Sequence, residues 1–326
     1  MQKVIKSLEN GTYRKIICGA ANTSEQQIER MSLVYSLCGA DVIDIAPQRE
    51  MYEAAKRGIS MAAEIVAQNP ELFPKFKPSL IMKSINVGDD KHFRKANFNL
   101  AQCVQCLDCV KACQSGALTV DDGKKSFNQQ KCYGCAMCVE SCQHNAVSMV
   151  MISDNPFATG DFPEKPDAIE LHTGNSSIEK VKAFVELHKN VLNKVGIISI
   201  SVDTMRFNAA ELVDYATALL EMFDRKIIIQ ADGVSMRGGS RKSSTLPTLS
   251  AALVLFNAGI DAYIQLSGGT NHLTQKFVDM TDLKIAGIGF GTFAKKIILN
   301  YIEEYSDDEF VSNLQQITAI AGKLFE

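Results

Sequence analysis

The sequence predicts an α/β fold, a (βα)8 barrel of the TIM type with a small α+β domain inserted after the third strand. Eight short β-rich runs alternate with helical patterns along the 326 residues, as in a barrel built from repeated βα units. Eight of the ten cysteines lie in one window, 103–142, after the third of these runs. A doubly wound open sheet is the alternative, because periodicity does not show whether a sheet closes.

The β-rich runs and the helical patterns place each element along the chain. The predicted strands are 15–20, 41–46, 80–85, 168–172, 196–202, 226–231, 262–266 and 286–290. The predicted helices are 24–38, 50–68, 178–192, 209–223, 248–257 and 293–301. The domain boundaries follow: 1–94 for the first part of the barrel, 95–152 for the insert and 153–326 for the remainder of the barrel.

Composition excludes several classes of function. A hydrophobic content of 46% supports a large core, and a net charge of −3 lacks the basic excess of nucleic-acid binding proteins. No apolar run approaches the length of a membrane span. Residues 1–14 are polar and lack the apolar core of a signal peptide. We therefore expect a cytoplasmic protein with free thiols, not a disulfide scaffold.

Two cysteine runs carry the strongest chemical signal. They read Cys103-Val-Gln-Cys106-Leu-Asp-Cys109-Val-Lys-Ala-Cys113 and Cys132-Tyr-Gly-Cys135-Ala-Met-Cys138-Val-Glu-Ser-Cys142. Both have the C-x2-C-x2-C-x3-C spacing of [4Fe–4S] ligands. A pair of zinc sites is the alternative, but zinc gives no reason for a doubled four-cysteine run. Cys18 and Cys38 stand apart, and we expect both to be small buried apolar residues.

This segment resembles the bacterial two-cluster ferredoxins. Three closely spaced thiolates bind one cube, and the fourth cysteine of each run ligates the other cube. The first predicted ligand set is Cys103, Cys106, Cys109 and Cys142. The second predicted ligand set is Cys132, Cys135, Cys138 and Cys113. Between the runs, 117–120 and the turn at Asp122-Gly123 predict a hairpin, and 147–150 predicts a matching strand. Gln114 and Gln143 stand where ferredoxins usually have proline.

Polar residues share one face of four successive predicted strands, because alternate strand residues face opposite sides. In a barrel the outer face packs against helices and is apolar, so the polar face is expected to point inward, towards a pocket at the mouth. Taken alone, each residue fits an ordinary buried polar group as well as it fits a pocket. The set is Glu170, His172, Ser199, Ser201, Asp203, Gln230, Asp232, Gln265 and Ser267.

Two glycine-rich turns follow the last two predicted strands. They contain Gly268 and Gly269 in one turn and Gly291 and Thr292 in the other. Bare backbone N–H groups at this end of a barrel commonly bind phosphate, although two tight turns would give the same pattern. A third loop, 232–240, carries Arg237, which is either an anion contact or a solvated charge.

Several segments resemble the light-dependent period (LdpA) family of cyanobacteria and its bacterial relatives. These are 42–46, 87–96, the cluster motifs, 168–173 and 265–271, within a resemblance that runs from about residue 15 to residue 298. Members of that family are regarded as iron–sulfur redox sensors that report light and redox state to the circadian clock. The first cysteine run departs from the cyanobacterial pattern, because here it is complete and regular.

A weaker resemblance links the chain to FMN-dependent barrels of the dihydroorotate dehydrogenase type, through residues 83–86 and the two glycine turns. It implies FMN as a second cofactor, with its phosphate at the turns and hydrogen bonds to the ring from Lys83, Asn86, Ser201 and Gln230. Lys83 and Asn86 have opposite alternation, so these two assignments compete. Glu170, His172 and Arg237 would then face a substrate.

Two functions remain open from the sequence. One is an electron-transfer or redox-sensing protein with no substrate of its own, which the LdpA resemblance favours. The other is an iron–sulfur flavoenzyme in which the clusters exchange electrons with FMN, which the polar face and the glycine turns favour. Either function implies a redox partner protein or a small-molecule electron donor or acceptor, with no nucleic acid and no membrane.

Overall fold

A computed structural model describes residues 1–19, 23–88, 90, 93–132, 134–151, 166–233 and 243–326. Eight parallel strands close into one barrel, which confirms the (βα)8 fold over the open sheet. In order around the barrel they are β1 (Tyr13–Ile17), β2 (Val42–Ile45), β3 (Leu80–Asn86), β8 (Ala168–His172), β9 (Ile197–Asp203), β10 (Ile228–Asp232), β11 (Tyr263–Ser267) and β12 (Gly287–Phe290).

Helices surround this barrel. They are α1 (Gln2–Glu9), α2 (Glu25–Leu37), α3 (Arg49–Gln68), α6 (Ile178–Leu192), α7 (Ala209–Leu220), α8 (Leu246–Asn257), α9 (Thr274–Asp279), α10 (Thr292–Ile297), α11 (Leu299–Glu304), α12 (Asp307–Ser312) and α13 (Leu314–Ala321). Capping boxes begin three of them, Ser24 with Gln27 before α2, Asn208 with Glu211 before α7 and Ser306 with Glu309 before α12. Such caps satisfy backbone N–H groups that a helix start leaves unpaired.

Apolar residues divide into two cores. The larger core lies between the outer faces of the strands and the helices, with aliphatic residues such as Ile43, Ile169 and Ile229 fully buried there. A smaller core fills the N-terminal end of the barrel, where Val4 and Leu8 of α1 pack against inward residues of the strands. The barrel is therefore closed at that end, and any pocket lies at the opposite end.

The insert between β3 and β8 is a small α+β unit. Its strands β4 (Arg94–Phe98) and β7 (Val147–Met151) pair antiparallel at the junction with the barrel. Beyond them lie the helix α4 (Asp108–Ala112), the hairpin β5 (Leu118–Asp121) with β6 (Lys124–Phe127), and the helix α5 (Met137–Glu140). No helix between β3 and β8 packs on the barrel in the described residues, so the insert replaces the third barrel helix.

The elements depart from the predictions in three places. The predicted helix 293–301 is two helices, α10 and α11, separated at the buried Ile298, which has a non-helical φ of −119°. The strand at 147–150 pairs with β4, which was not predicted, and not with the hairpin. Helices α1, α9, α12 and α13 were also not predicted. All eight barrel strands were predicted, with ends that differ by at most three residues, and 168–172 was predicted with both ends correct.

Loss of its metal should unfold the insert and leave the barrel folded. The insert has a separate core of seven buried residues, three of them cysteines (Cys109, Cys132 and Cys138), so metal ligation should supply much of its folding free energy. We expect chelator or oxygen exposure to abolish hydrogen-exchange protection in 95–151 while β8–β12 stay protected. Protein kept anaerobic is the control, and joint loss of protection in both regions would contradict a separable insert.

Candidate functional site

The structure gathers the eight clustered cysteines around two depressions in the insert. Cys103, Cys106, Cys109 and Cys142 line the first, which has a volume of about 350 Å³. Cys113, Cys132, Cys135 and Cys138 line the second, of about 320 Å³. Each depression thus receives three cysteines from one run and the fourth cysteine of the other, which is the crossed arrangement predicted from the spacing.

Local backbone geometry explains the crossing. Leu107 and Ala136, the residues before α4 and α5, both have left-handed backbone conformations, with φ of 63° and 64°. The left-handed residue turns the chain sharply between the second and third cysteines, so the three cysteines curl around one depression and the short helix that begins there leads to the fourth cysteine at the other. Such conformations cost roughly 1–2 kcal/mol each for residues other than glycine, a cost that thiolate–metal bonds would offset.

The two sites fit [4Fe–4S] clusters. In each, the thiols surround a volume and do not meet at a point, and no three metal-binding side chains in the described part of the chain converge on a single ion. A cube needs this spread, because each of its four irons takes its own thiolate. The backbone N–H of Ala146 also lies 3.3 Å from the sulfur of Cys142, as expected where amides stabilise a thiolate.

One lysine approaches each depression. The Nζ atom of Lys125 lies 3.6 Å from the sulfur of Cys103 and 3.9 Å from the ring centroid of Phe98. Lys95 is buried and donates to the carbonyl oxygen of Cys132 at 2.6 Å. Burial lowers the pKa of Lys95 to about 8. Both cations lie where they would counter the negative charge of a thiolate-bound cluster.

A second group of polar residues fills the barrel centre. Lys15 of β1 is fully buried and pairs with Glu170 of β8, and its Nζ atom lies 3.5 Å from Asp44 of β2. Glu170 also accepts hydrogen bonds from Ser199 at 3.1 Å and Gln230 at 2.9 Å. Barrel interiors are normally filled with branched aliphatic side chains, so this buried ionic network needs an explanation other than packing.

The protonation states in this network are set by the competition between burial and charge. Burial alone would raise the pKa of Glu170, but Lys15 and His172 outweigh it and hold that pKa below its usual value. Burial alone would lower the pKa of Lys15, but Glu170 and Asp44 raise it. For Asp44 burial prevails over Lys15 and raises its pKa to about 6. The centre therefore holds an ammonium–carboxylate pair at neutral pH.

His172 connects the network to the insert. Its Nε2 atom lies 3.1 Å from Glu170 and 3.2 Å from Ser84, and its Nδ1 atom lies 3.3 Å from Asp90. Burial would lower the pKa of His172, but Asp90 and Glu170 raise it well above its usual value. Phe93 meets the imidazole edge-on, with ring centroids 5.3 Å apart. His172 is therefore a buried imidazolium at the point where the insert begins.

The other predicted site residues fall in different places. Ser201 and Gln230 face the barrel interior, where both contact Asp232. Asn86 ends β3 and accepts a hydrogen bond from the backbone of Gly88 at 3.0 Å. The inward placement of Lys83 was wrong: its side chain lies outside the barrel, 4.8 Å from the ring of Tyr52 in α3, because it alternates opposite to Asn86. Arg237 lies outside the described residues.

The glycine turns lie at the mouth. Gly268 and Gly269 have φ of +69° and +83°, and the carbonyl of Gly269 accepts hydrogen bonds from Ser244 at 2.5 Å and Asn271 at 3.3 Å. Thr270 joins this turn to β12 through the carbonyl of Gly289. Among the described residues, no backbone acceptor engages the amide N–H groups of the four predicted phosphate-binding residues, Gly268, Gly269, Gly291 and Thr292.

The sequence prediction missed the residues that pair with Glu170 and His172. Lys15 lay inside a predicted strand and was not singled out, although it is inward-facing in the same alternation as Tyr13. Asp44 entered only as part of a family resemblance. Ser84 lies two residues before Asn86 in β3 and shares its face, so alternation could have placed it beside His172. Asp90 follows β3 in a loop, where alternation gives no guidance.

Two segments of the chain match known domain families. Residues 162–323 match the Light dependent period A C-terminal domain, and residues 102–147 match the 4Fe-4S dicluster domain. A curated relative, Light dependent period A of Synechococcus elongatus, is 26% identical over 324 residues, which covers 94% of this chain and 86% of that protein. None of the helices in the described residues is long and apolar enough to cross a bilayer.

Solved structures resemble the chain weakly. The YdjI aldolase of Escherichia coli has a TM-score of 0.45 at 8% identity, with 98% of this chain and 90% of that chain covered. The (S)-3-O-geranylgeranylglyceryl phosphate synthase of Thermoplasma acidophilum has a TM-score of 0.44 at 11% identity, covering 98% and 97%. Similarity at this level carries no argument about activity.

Replacement of a fourth cysteine should damage the cluster of the other run. Cys113→Ser removes a thiol from the second depression, and Cys142→Ser removes one from the first. We expect each variant to lose up to half of about eight irons per chain, with the EPR signal of one reduced cluster retained and a different signal retained in each variant. Cys38→Ser, at a buried thiol outside the insert, is the control. Loss of the same signal in both variants would contradict the crossed arrangement.

Loss of Lys15 should destabilise the barrel through Glu170. Lys15→Met removes the ammonium that Glu170 and Asp44 share and leaves Glu170 with His172 as its cationic contact; breaking a buried ion pair in this way costs up to roughly 3–5 kcal/mol. Without Lys15 the pKa of Glu170 rises from its value in the unmodified protein, because burial is then opposed by His172 and no longer by Lys15. The destabilisation is therefore largest at pH values where Glu170 is ionised and shrinks as the pH falls and the carboxylate is protonated. Denaturant unfolding of anaerobic protein at pH 7.5 and pH 5 measures it. The double variant Lys15→Met/Glu170→Gln should recover most of the loss, and equal losses in both variants would refute the pairing.

Proposed function

We infer that this chain, whose residues 162–323 match the Light dependent period A C-terminal domain and whose residues 102–147 match the 4Fe-4S dicluster domain, is an LdpA-like iron–sulfur redox protein. It carries electrons or senses redox state through two [4Fe–4S] clusters next to a barrel pocket. When bound, each cluster supplies one-electron chemistry. The observation that carries the proposal is the crossed lining of the two depressions by four cysteines each.

The surrounding residues support a redox role. Lys95 and Lys125 place positive charge beside the thiolates of both depressions, which favours the more negative, reduced state of a cluster. The two depressions share one small core and exchange their fourth cysteines, so the clusters would lie close together. A redox partner protein or a small-molecule electron donor or acceptor completes the proposed function.

Anaerobic purification tests this function. We expect about eight irons and eight acid-labile sulfides per chain, a broad visible absorption that bleaches with dithionite, and an EPR signal from interacting reduced clusters. Zinc in place of iron, or iron that gives no EPR signal after reduction, would overturn the proposal.

A second candidate is an iron–sulfur flavoenzyme, an FMN-dependent oxidoreductase that uses the clusters to exchange electrons with flavin. The observation in its favour is the group of turn amides at Gly268, Gly269, Gly291 and Thr292, which no backbone acceptor engages within the described residues. Amides of this kind bind phosphate at the ends of the last two barrel strands. Asn86, Ser201 and Gln230 would provide hydrogen bonds to the ring.

In this second candidate, His172 would act as the proton donor and Glu170 would hold it. Asp90 and Glu170 keep the imidazole protonated by raising its pKa, as a general acid requires. Glu170 itself is fully buried and paired with Lys15, so its role is to position and charge His172. Lys83 takes no part in this candidate, because it faces α3.

A bulky residue at Gly269 should abolish binding of FMN and leave both clusters in place. Gly269 has a φ of +83°, which residues with a Cβ atom rarely adopt, and a Cβ atom there would collide with the carbonyl oxygen of Ser244. Gly269→Val would therefore displace the turn. Gly259→Val is the matched control, since Gly259 also has a positive φ of +70° but faces open space. Flavin released on denaturation and titration of FMN into flavin-free protein are the measurements. No released flavin and no tight FMN binding in the unmodified protein would exclude the flavoenzyme.

A further inference from the structure

The two depressions stand in different relations to the barrel. The second depression adjoins the strand β4, which begins beside the barrel mouth. Lys95 of this strand holds the carbonyl of Cys132, and Arg94 donates to the carbonyl of Gly134 at 3.2 Å. Phe93, the residue before β4, contacts His172 edge-on. A short run of consecutive residues therefore links the second depression to the buried imidazolium of the barrel.

The first depression faces solvent. Cys106 is the exposed member of the eight thiols. Val104, which lines the same depression, is 61% exposed, and the nearby Leu100 is 78% exposed. In the second depression two of the thiols, Cys132 and Cys138, are buried and none is exposed, whereas in the first only Cys109 is buried. The first depression is therefore the one at which electrons can be exchanged with an external molecule.

The lysines beside the two depressions, Lys95 and Lys125, differ in how strongly they stabilise negative charge there. Lys95 is 2% exposed, whereas Lys125 is half-buried and reaches Cys103 from the side open to water. The energy of a charge pair scales inversely with the local dielectric constant, so a buried cation stabilises a nearby anion several-fold more than a wet one at a similar distance. Water at Cys106 also stabilises negative charge in the first depression, so the order of the two midpoint potentials tests which of the two effects is larger.

We propose that the second depression is the barrel-side electron site, that the first is the solvent-side site, and that Lys95 makes the barrel-side site the easier to reduce. With clusters held by the cysteines of both depressions, a one-electron reductant of low potential would give its electron to the first depression, and that electron would pass on to the second, so the reductant is oxidised by one electron and the barrel-side site is reduced by one. One electron moves and no bond to a ligand breaks. The inference rests on the proposed two-cluster function and assigns a direction to it. Lys95 acts as a positioning charge and not as a catalytic residue.

Potentiometric titration of the anaerobic full-length protein, with dithionite and redox mediators and with EPR detection, tests the inference. The unmodified protein should show two midpoint potentials. Lys95→Met should move the higher one to more negative values and leave the lower one in place. Lys95→Arg, which keeps the charge, should restore most of the shift. Lys125→Met is the matched control at the other depression, and it should move the lower midpoint by a smaller amount.

Each other outcome has a separate meaning. If Lys95→Met moves the lower midpoint, both midpoints equally or neither, the assignment is wrong although the protein still has two clusters. If the reduced protein shows no EPR-active iron, the proposed function itself fails. Where Lys95→Met loses iron, Lys95→Gln replaces it, because its amide can still donate a hydrogen bond near Cys132 without carrying charge. If Lys95→Gln has the same higher midpoint potential as the unmodified protein, the inference is overturned in the same way.

Discussion

Parallel pairing of β3 with β8 is the constraint on which the rest of the structure depends. These strands are neighbours in the barrel, with Ser84 opposite Glu170 and Asn86 opposite His172. The insert between them leaves from the C-terminal end of β3 and must return to the N-terminal end of β8. Antiparallel pairing of β4 with β7 closes the insert close to its point of exit. The cysteine-rich unit is therefore anchored beside the end of the barrel where TIM-type proteins place their chemistry.

The same pairing assembles a barrel centre that packing alone does not explain. Burying Lys15, Glu170 and His172 costs desolvation free energy, and an apolar core of similar volume is often at least as stable. The strand register gives each charge a partner: Lys15 meets Glu170 across the barrel, and His172 sits between Glu170 and Asp90. Charges retained in a barrel at such a cost are typical of functional sites, and the N-terminal end of this barrel, filled by Tyr13, Met82 and their neighbours, remains apolar.

Features that repeat locally could be predicted from the sequence, and long-range pairings could not. Two-residue alternation placed Glu170, His172 and Gln230 on the inner face, and the cysteine spacing predicted which four thiols would line each depression. Alternation also warned that Lys83 opposes Asn86, and the structure places Lys83 outside. The partnership of Lys15 with Glu170 joins strands far apart in sequence, so only barrel closure reveals it. Strand β4 was missed because its polar sequence, Arg94–Phe98, forms a strand only through β7.

The barrel and the insert share an electrostatic logic. An electron that reaches the second depression adds a negative charge to a site with little water, and such a charge is stabilised by cations already fixed in place. Lys95 beside Cys132 is such a cation, whereas His172 behind Phe93 and Lys15 deeper in the barrel are each balanced by carboxylates. The carboxylates that hold the two barrel cations, Glu170 and Asp90, belong to β8 and to the segment after β3. The residues that close the barrel therefore also set the field at its mouth, which links the fold to the redox function proposed for the chain.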